Sequence, residues 1–416
     1  MDLLLLADNP VDDQERDFLE FGRYLTPLES LLSNPDTETP FTVGIFGPWG
    51  SGKTSLLRLL ESKLNTYEDR FVCVRFNPWI YRHEPNLLLP LLHTLHDSLD
   101  RQGAGRFKES AKRIAEVLAC VGANVLLKAL TLSTSVDDLE KLEARYRQAH
   151  DRVESPMRRL REALQKEADL VAENNSKLVL FVDDLDRCEP HQIVDLLEAT
   201  KLFFDLRHVF LILALDQEVV ERGIEIRYEK FRFAEGRARA IGAEYLEKMV
   251  QLPLQLFPLF RPQVGQFLDK LVLSETVQPY KRLLTELLEP NPRKIKRILN
   301  TFTVISHVAQ TVDQSLQGED LLRLVVLQVQ SPDLFLEAAR RPGLLLALEA
   351  TYAGALRLND PQGYHNEYGP DAGLVRKFCE ENYRPGSYLP KLFEHKTFTS
   401  LGKRLPEYFA IFGESA

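Results

Sequence analysis

Residues 47–54 read Gly47-Pro48-Trp49-Gly50-Ser51-Gly52-Lys53-Thr54 and fit the pattern G-x-x-x-x-G-K-[ST] at every fixed position. The stretch lies between an apolar run, Phe41–Phe46, and a helical pattern from Thr54 to Leu64. A glycine-rich loop between a buried strand and a helix start turns successive backbone amides toward a phosphate, and the helix dipole favours the same negative charge. The sequence therefore predicts a phosphate-binding loop, in which Lys53 reaches the β- and γ-phosphates and Thr54 offers its hydroxyl to Mg²⁺. A chance glycine-rich turn is the alternative.

Apolar runs on either side of this loop predict the strands of a sheet. Four of them are continuous rather than alternating, which is typical of parallel strands buried on both faces; they are Phe41–Phe46, Phe71–Phe76, Leu178–Val182 and Val209–Leu215. A weaker fifth run, Val250–Phe257, contains Pro253 and is therefore expected at an edge. Helical patterns such as Ile193–Phe204 alternate with these runs. The predicted fold is α/β, a P-loop NTPase parallel sheet of about five strands.

The interval between the second and third strands predicts an inserted subdomain. About 100 residues separate Asn77 from Lys177, whereas a crossover with its helix needs roughly a dozen to thirty. We expect a helical insertion over residues 84–175, which divides the core into residues 1–83 and 176–258. Residues 259–416 are leucine-rich, and a helical lid and C-terminal region is predicted there.

Two stretches of the insertion carry further expectations. The charged stretch from Asp137 to Glu173 mixes both signs and keeps leucines at helical spacing, which favours an exposed helical hairpin. The apolar stretch Val117–Leu127 holds no charge, but a membrane-spanning helix needs about 20 such residues. We therefore predict no transmembrane segment, and a soluble arm whose stripe Val117–Leu132 meets a partner or a second copy or packs on its own subdomain.

Acidic residues follow the third strand. Asp183 and Asp184 come directly after Leu178–Val182, and Asp186 follows two residues later. A strand that ends in carboxylates next to a phosphate-binding loop places one acid against Mg²⁺, and a second acid can activate water. We assign Asp183 to the metal and Asp184 to water activation, with Asp186 as the competing base. A solvated acidic turn is the alternative.

Three further residues have two interpretations each. Asp216 follows the fourth strand and either senses the γ-phosphate or caps the next helix. Arg293 opens a helix after Pro292 and either reads the γ-phosphate or belongs to a basic solvated face. Arg187 either pairs with Asp184 or Asp186, or points across a subunit interface as an arginine finger.

Composition excludes several classes of protein. Lysine and arginine number 52 against 61 acidic residues, a net charge of −9, which argues against a chain that coats nucleic acid over its whole surface. The four cysteines are scattered without metal-ligand spacing and are expected to be reduced thiols. The apolar run Leu3–Leu6 is short for a signal peptide, so a cytoplasmic location is expected.

Several motifs occur together in one order, and this order resembles that of KAP-family P-loop NTPases. They are GIFGPWGSGKT at 44–54, FNPW at 76–79, FVDDLDRC at 181–188, LALD at 213–216, YLEK at 245–248, QLPL at 251–254 and NPRKIKR at 291–297. The resemblance covers roughly residues 20–305 and implies the STAND-like branch, whose members are ATP-driven switches that act through assembly. It implies ATP and Mg²⁺ as cofactors, and a homo-oligomer or partner proteins encoded nearby. Many members carry transmembrane helices between the loop and the acidic strand, and this sequence departs from them there. Bacterial relatives include phage-defence components.

The resulting functional hypothesis is an ATPase that acts as a conformational or assembly switch. The predicted nucleotide-binding residues are Gly47, Pro48, Trp49, Gly50, Ser51, Gly52, Lys53, Thr54, Ser55, Asp216 and Arg293; the predicted catalytic residues are Lys53, Asp184 and Asp186; and the predicted metal ligands are Thr54 and Asp183. The alternatives are a low-turnover ATP-binding scaffold, a small-molecule kinase and a nucleic-acid-stimulated motor.

Overall fold

The computed structural model describes residues 4–13, 15, 17–67, 70–84, 87–102, 158, 160–173, 176–228, 237–256, 259, 261–354, 372–382, 387–394 and 397–413. The chain divides into two compact units. One is Pro10–Phe257, and the other joins Met1–Asn9 to Pro258–Ala416. The phosphate-binding loop lies in the first unit, and Arg293 lies in the second.

The unit Pro10–Phe257 is built on a five-stranded parallel sheet in the order β2-β3-β4-β1-β5. The strands are β1 Phe41–Phe46, β2 Phe71–Phe76, β3 Lys177–Val182, β4 Val209–Leu215 and β5 Leu252–Gln255. The α/β fold and its five parallel strands are thus confirmed. The fifth strand is shorter than its apolar run, and it lies at the edge, paired with β1 alone. Because β4 lies between β1 and β3, the residue after β4 lies between the carboxyl ends of those two strands.

Helices cover both faces of this sheet. They are α1 Gly22–Ser33, α2 Lys53–Leu64, α3 Leu88–Gln102, α4 over residues 160–173, α5 Pro190–Phe204, α6 Gln217–Tyr228 and α7 Arg237–Met249. Short 3₁₀ turns, Pro78–Tyr81 and Leu185–Arg187, follow β2 and β3. Helix α5 begins with a capping box between Glu189 and Gln192, and Pro190 occupies its first turn. These residues satisfy or remove backbone donors that a helix start leaves without partners.

Alternate strand residues face opposite layers of the core, as the two-residue period of a strand requires. Val74 and Leu180 pack in a cluster with α3, α4, α5, α6 and α7, whereas Val179 and Ile212 pack in a second cluster with α1 and α2. Both described ends of the predicted insertion, α3 and α4, therefore contribute to the core. The rest of the insertion, including Val117–Leu132, lies outside the described residues, and the soluble arm stays a prediction.

The described part of the second unit is helical. Its helices are Arg261–Lys270, Lys281–Leu287, Pro292–Val312, Gly318–Gln330, Pro332–Arg340, Gly343–Tyr352, Ala372–Asn382, Leu389–Leu392, Thr397–Leu401 and Leu405–Ile411. The helical pattern over 264–288 is divided into two helices by a segment that contains the 3₁₀ turn Gln278–Tyr280, with its Pro279. Among the described segments, no helix has the length and apolar character needed to cross a membrane.

Two buried charged side chains form hydrogen bonds with the ends of two short helices near the end of the chain. The Arg323 guanidinium donates to the carbonyl oxygens of Lys391 and Leu392, which close the helix Leu389–Leu392. The Glu349 carboxylate accepts from the backbone N–H groups of Phe398 and Thr399, at the start of the helix Thr397–Leu401. Each charge meets the helix end whose backbone groups and dipole complement it.

Candidate functional site

The loop 47–54 has the backbone conformation that its glycines predict. Gly50 has a φ of 84° and Gly52 a φ of 96°, both in the left-handed region that favours glycine. A Cβ on Gly52 would also lie 2.5 Å from the Phe21 ring. The Ser51 N–H donates to the Pro48 carbonyl at 3.1 Å and closes the turn. A larger residue at position 52 would therefore strain the backbone and collide with Phe21.

Lys53 is buried within this loop. Its Nζ donates to the Gly47 carbonyl at 2.7 Å and to the Pro48 carbonyl at 3.4 Å. The same Nζ lies 3.6 Å from Asp186 Oδ2, so the acid balances the charge of the ammonium. A phosphate that binds Lys53 must therefore compete with contacts inside the protein.

Thr54 and Asp183, the two predicted metal ligands, lie together. Thr54 Oγ1 donates to Asp183 Oδ1 at 3.3 Å, and the Asp184 N–H donates to the same oxygen at 3.0 Å. Burial raises the pKa of Asp183 above its ordinary value, and the neighbouring charge of Asp184 raises it further, although the Thr54 hydrogen bond opposes both. A cation at this position would stabilise the ionised form that burial disfavours.

Asp184 adopts a left-handed backbone, with a φ of 58°, where β3 passes into the 3₁₀ turn. Asn77 Nδ2 donates to its Oδ2 at 3.0 Å, and Arg187 Nε lies 2.8 Å from its Oδ1. Of the alternatives for Arg187, the structure shows pairing with Asp184. No role for Asn77 was predicted from the sequence. The signals in the sequence were its place in the motif FNPW and an amide side chain directly after a strand that a parallel sheet could place beside β3.

Asp186 is buried and connects three parts of the site. Its Oδ2 accepts from Trp49 Nε1 and from the Asp216 N–H, each at 2.9 Å, and the same oxygen faces Lys53. Asp216 Oδ1 accepts from the Glu218 N–H at 3.2 Å, the contact expected of a helix cap. The role of Asp216 as a γ-phosphate sensor stays a prediction.

Two predicted nucleotide-binding residues are engaged elsewhere. The Ser55 hydroxyl accepts from the Val11 N–H at 3.1 Å. The Arg293 guanidinium forms an ion pair with Asp8 within the second unit. A nucleotide contact by either side chain stays a prediction.

The residues fit a magnesium-bound nucleoside triphosphate. The buried Ser51 Oγ has no hydrogen-bond partner within the described residues, and a Cβ on Gly47 would lie 2.7 Å from that oxygen. Within the described ranges, no group of three or more His, Cys, Asp or Glu is placed to hold a metal ion. One carboxylate and one hydroxyl, as Asp183 and Thr54 supply, suit Mg²⁺, which is commonly held by one or two carboxylates together with phosphate oxygens and water. Thr54 and Asp183 would hold the ion.

Comparison with protein families identifies the domain. The KAP family P-loop domain matches residues 22–309, well over half of the chain. The chain belongs to the KAP family of P-loop NTPases.

Among curated relatives of this KAP protein, the phage T7 exclusion protein of Escherichia coli K12 is 24% identical over 265 residues, 60% of this chain and 34% of that one. The chain thus spans about a third of that relative's length. An uncharacterized protein of Methanocaldococcus jannaschii is 26% identical over 175 residues, 35% of this chain and 89% of that one. The kinase D-interacting substrate of 220 kDa of Rattus norvegicus is 36% identical over 55 residues, 13% of this chain and 3% of that one.

Two solved structures are also similar. Cdc6p of Pyrobaculum aerophilum has a TM-score of 0.38 and 17% identity, with 97% of this chain and 91% of that one covered. The Aeropyrum pernix ORC2 protein has a TM-score of 0.36 and 15% identity, with 99% and 96% covered.

Proposed function

We propose that this protein binds MgATP at the loop 47–54, hydrolyses it, and uses the cycle as a conformational or assembly switch. The observation that carries the proposal is the position of Asp186, whose carboxylate meets Lys53, Trp49 and the backbone after β4. A phosphate attracts the Lys53 ammonium and so competes with Asp186. Occupancy of the loop is therefore expected to change contacts at the ends of β3 and β4.

The three acids after β3 have different proposed roles, because their surroundings differ. Thr54 and Asp183 would hold Mg²⁺, which neutralises charge on phosphate oxygens when it is bound. Asp184 is the proposed base, because its carboxylate has donors from Asn77 and Arg187 but offers about four lone-pair sites, which leaves room for a water molecule. Asp186 is surrounded by Lys53, Trp49 and the Asp216 N–H, which suits a positioning role better.

Steady-state phosphate release tests the hydrolytic part of the proposal. The wild type is compared with Asp184→Asn, and Asp36→Asn serves as the matched control because Asp36 is an exposed acid of the same unit that precedes the amino end of β1. We expect turnover in the wild type and the control, and its loss in Asp184→Asn with ATP binding retained. Release that rises only when proteins encoded nearby are added would favour the low-turnover scaffold. Equal release from all three proteins would contradict the assignment of Asp184.

A role in phage defence is the proposed biological context, and the similarity to the phage T7 exclusion protein supports it. The test is the plating efficiency of phage T7 on bacteria that express the wild type, Lys53→Ala or Asp36→Asn at matched levels. Reduced plating with the wild type and Asp36→Asn, restored by Lys53→Ala, is expected. Unchanged plating across a panel of phages would count against this context and leave the ATPase proposal standing.

A further inference from the structure

Trp79 lies beside the candidate base with two arginines on its ring. The guanidinium carbon of Arg187 is 5.1 Å from the ring centroid, and that of Arg82 is 5.2 Å from it. The Trp79 N–H donates to Asn77 Oδ1 at 3.0 Å, which fixes the 3₁₀ turn after β2. The Trp79 backbone is thus fixed by a hydrogen bond, and its indole ring contacts two cations. The residue is nevertheless 38% exposed.

Arg187 connects this ring to Asp184. It ends the 3₁₀ turn after β3, and its Nε lies 2.8 Å from Asp184 Oδ1. The arginine side chain is 33% exposed, so without a further contact it would sample many rotamers. A planar guanidinium stacks well on an aromatic face, and the Trp79 ring therefore restricts Arg187 to the orientation that meets Asp184.

We propose that Trp79 and Arg187 are positioning residues for Asp184. The ring holds the guanidinium, and the guanidinium holds the carboxylate in the direction from which it accepts a proton. This inference rests on the proposed role of Asp184 in hydrolysis. It requires that the two residues act along one route, in which Trp79 contacts Arg187 and Arg187 contacts Asp184. Removing either residue should then have the effect of removing both.

Kinetics of four variants test the route. Arg187→Ala and Trp79→Ala should each lower kcat by about 10-fold to 100-fold, the effect expected from a misplaced catalytic group, with the KM for ATP changed by less than about threefold. Trp79→Phe keeps an aromatic face and should retain most of the kcat. Arg82→Ala is the matched control, because Arg82 contacts the same ring but has no carboxylate partner in the described part of the chain. Its kcat should equal that of the wild type.

The double variant Trp79→Ala with Arg187→Ala decides between one route and two. A kcat equal to that of the worse single variant supports the proposal, because the second change then removes nothing further. Losses that multiply would overturn it, as would wild-type kcat in Arg187→Ala or an equal loss in Arg82→Ala.

A second measurement separates this inference from the proposed ATPase activity. The chain has two tryptophans, so Trp49→Phe leaves Trp79 as the single tryptophan, whose emission is excited selectively over that of the tyrosines. Arg187→Ala in that background should shift the Trp79 emission to the red, and Asp184→Asn should do the same by releasing Arg187. If the wild type and Asp184→Asn hydrolyse ATP equally, the proposed function fails while these shifts still report the contact. Emission that neither change affects would overturn the route itself.

Discussion

Replacing Lys53 by alanine removes a cation that pairs with an acid of the protein itself. Nζ lies 3.6 Å from Asp186 Oδ2, and both side chains are buried. Two unit charges at this distance interact by about 4–5 kcal/mol at an effective dielectric constant of about 20. In the variant, Trp49 Nε1 and the Asp216 N–H still donate to Asp186, so the acid is not fully stripped of partners. We therefore expect a loss of about 2–3 kcal/mol in unfolding free energy, below the roughly 3–5 kcal/mol of a broken buried pair.

Adding Asp186→Asn tests whether that loss comes from the uncompensated acid. The double variant should regain about half or more of the lost stability, because neither charge then remains without its partner. ATP affinity should stay reduced by about 100-fold or more in both proteins, since one charge-assisted phosphate contact is worth roughly 3 kcal/mol.

Urea unfolding followed by tryptophan fluorescence measures the stability of the relevant unit, because Trp49 and Trp79 both lie in Pro10–Phe257. Calorimetry measures the ATP affinity. Additive losses from Lys53→Ala and Asp186→Asn would refute the electrostatic pairing. Unchanged nucleotide affinity in Lys53→Ala would refute the assignment of the loop.

The remaining predictions concern the acids and the second unit. Asp184→Asn should bind ATP in calorimetry and release phosphate about 100-fold more slowly or worse. Asp183→Asn should instead weaken the Mg²⁺-dependent binding of ATP, also measured by calorimetry. An active Asp184→Asn together with an inactive Asp186→Asn would reverse the roles of Asp184 and Asp186. Because burial raises the pKa of Asp183, the folded protein holds that proton more tightly than the unfolded chain and loses stability as pH rises through the folded pKa. Without nucleotide, Asp183→Asn should therefore gain stability over the wild type as pH rises from about 4 to 8, and a pH-independent difference in thermal unfolding would contradict this. Arg293→Ala should lower the affinity for ATP more than that for ADP if Arg293 reads the γ-phosphate, and equal losses in calorimetry would show that it does not.

The sheet was predictable from the sequence because its strands are buried on both faces. Continuous apolar runs such as Val209–Leu215 have few alternative structures, and the strand β4 has those same bounds. Local motif chemistry likewise predicted the proximity of Thr54 and Asp183, since Thr54 lies in the first turn of the helix after the loop and Asp183 directly follows β3. The contact between Asn77 and Asp184 could not be predicted with equal force. It depends on β2 pairing with β3, and the order of strands in a sheet cannot be predicted from the sequence of any single strand.

The individual helices after Tyr352 could not be predicted from the sequence, for a different reason. Its described helices are short, and isolated helices of that length are not stable on propensity alone. The ends of two of them, Leu389–Leu392 and Thr397–Leu401, are held by Arg323 and Glu349. These charged residues are distant in sequence, and their charge alone would predict that they lie on the surface. Only the folded structure shows that the helix ends supply partners for these charges.

The surroundings of Asp186 in the structure distinguish it from Asp184, although the sequence motif offers both as candidates for the base. In sequence, Asp184 and Asp186 are equivalent candidates for the base, two positions apart after the same strand. In the structure, one oxygen of Asp186 meets Lys53, Trp49 and the Asp216 N–H, all of them donors. A base must take a proton from water, and only 2% of the Asp186 side chain is exposed to water, against 17% of the Asp184 side chain. The same contacts place Asp186 where it would respond if a phosphate drew Lys53 away. For this reason we propose Asp184 for the chemistry and Asp186 for its transmission to β4.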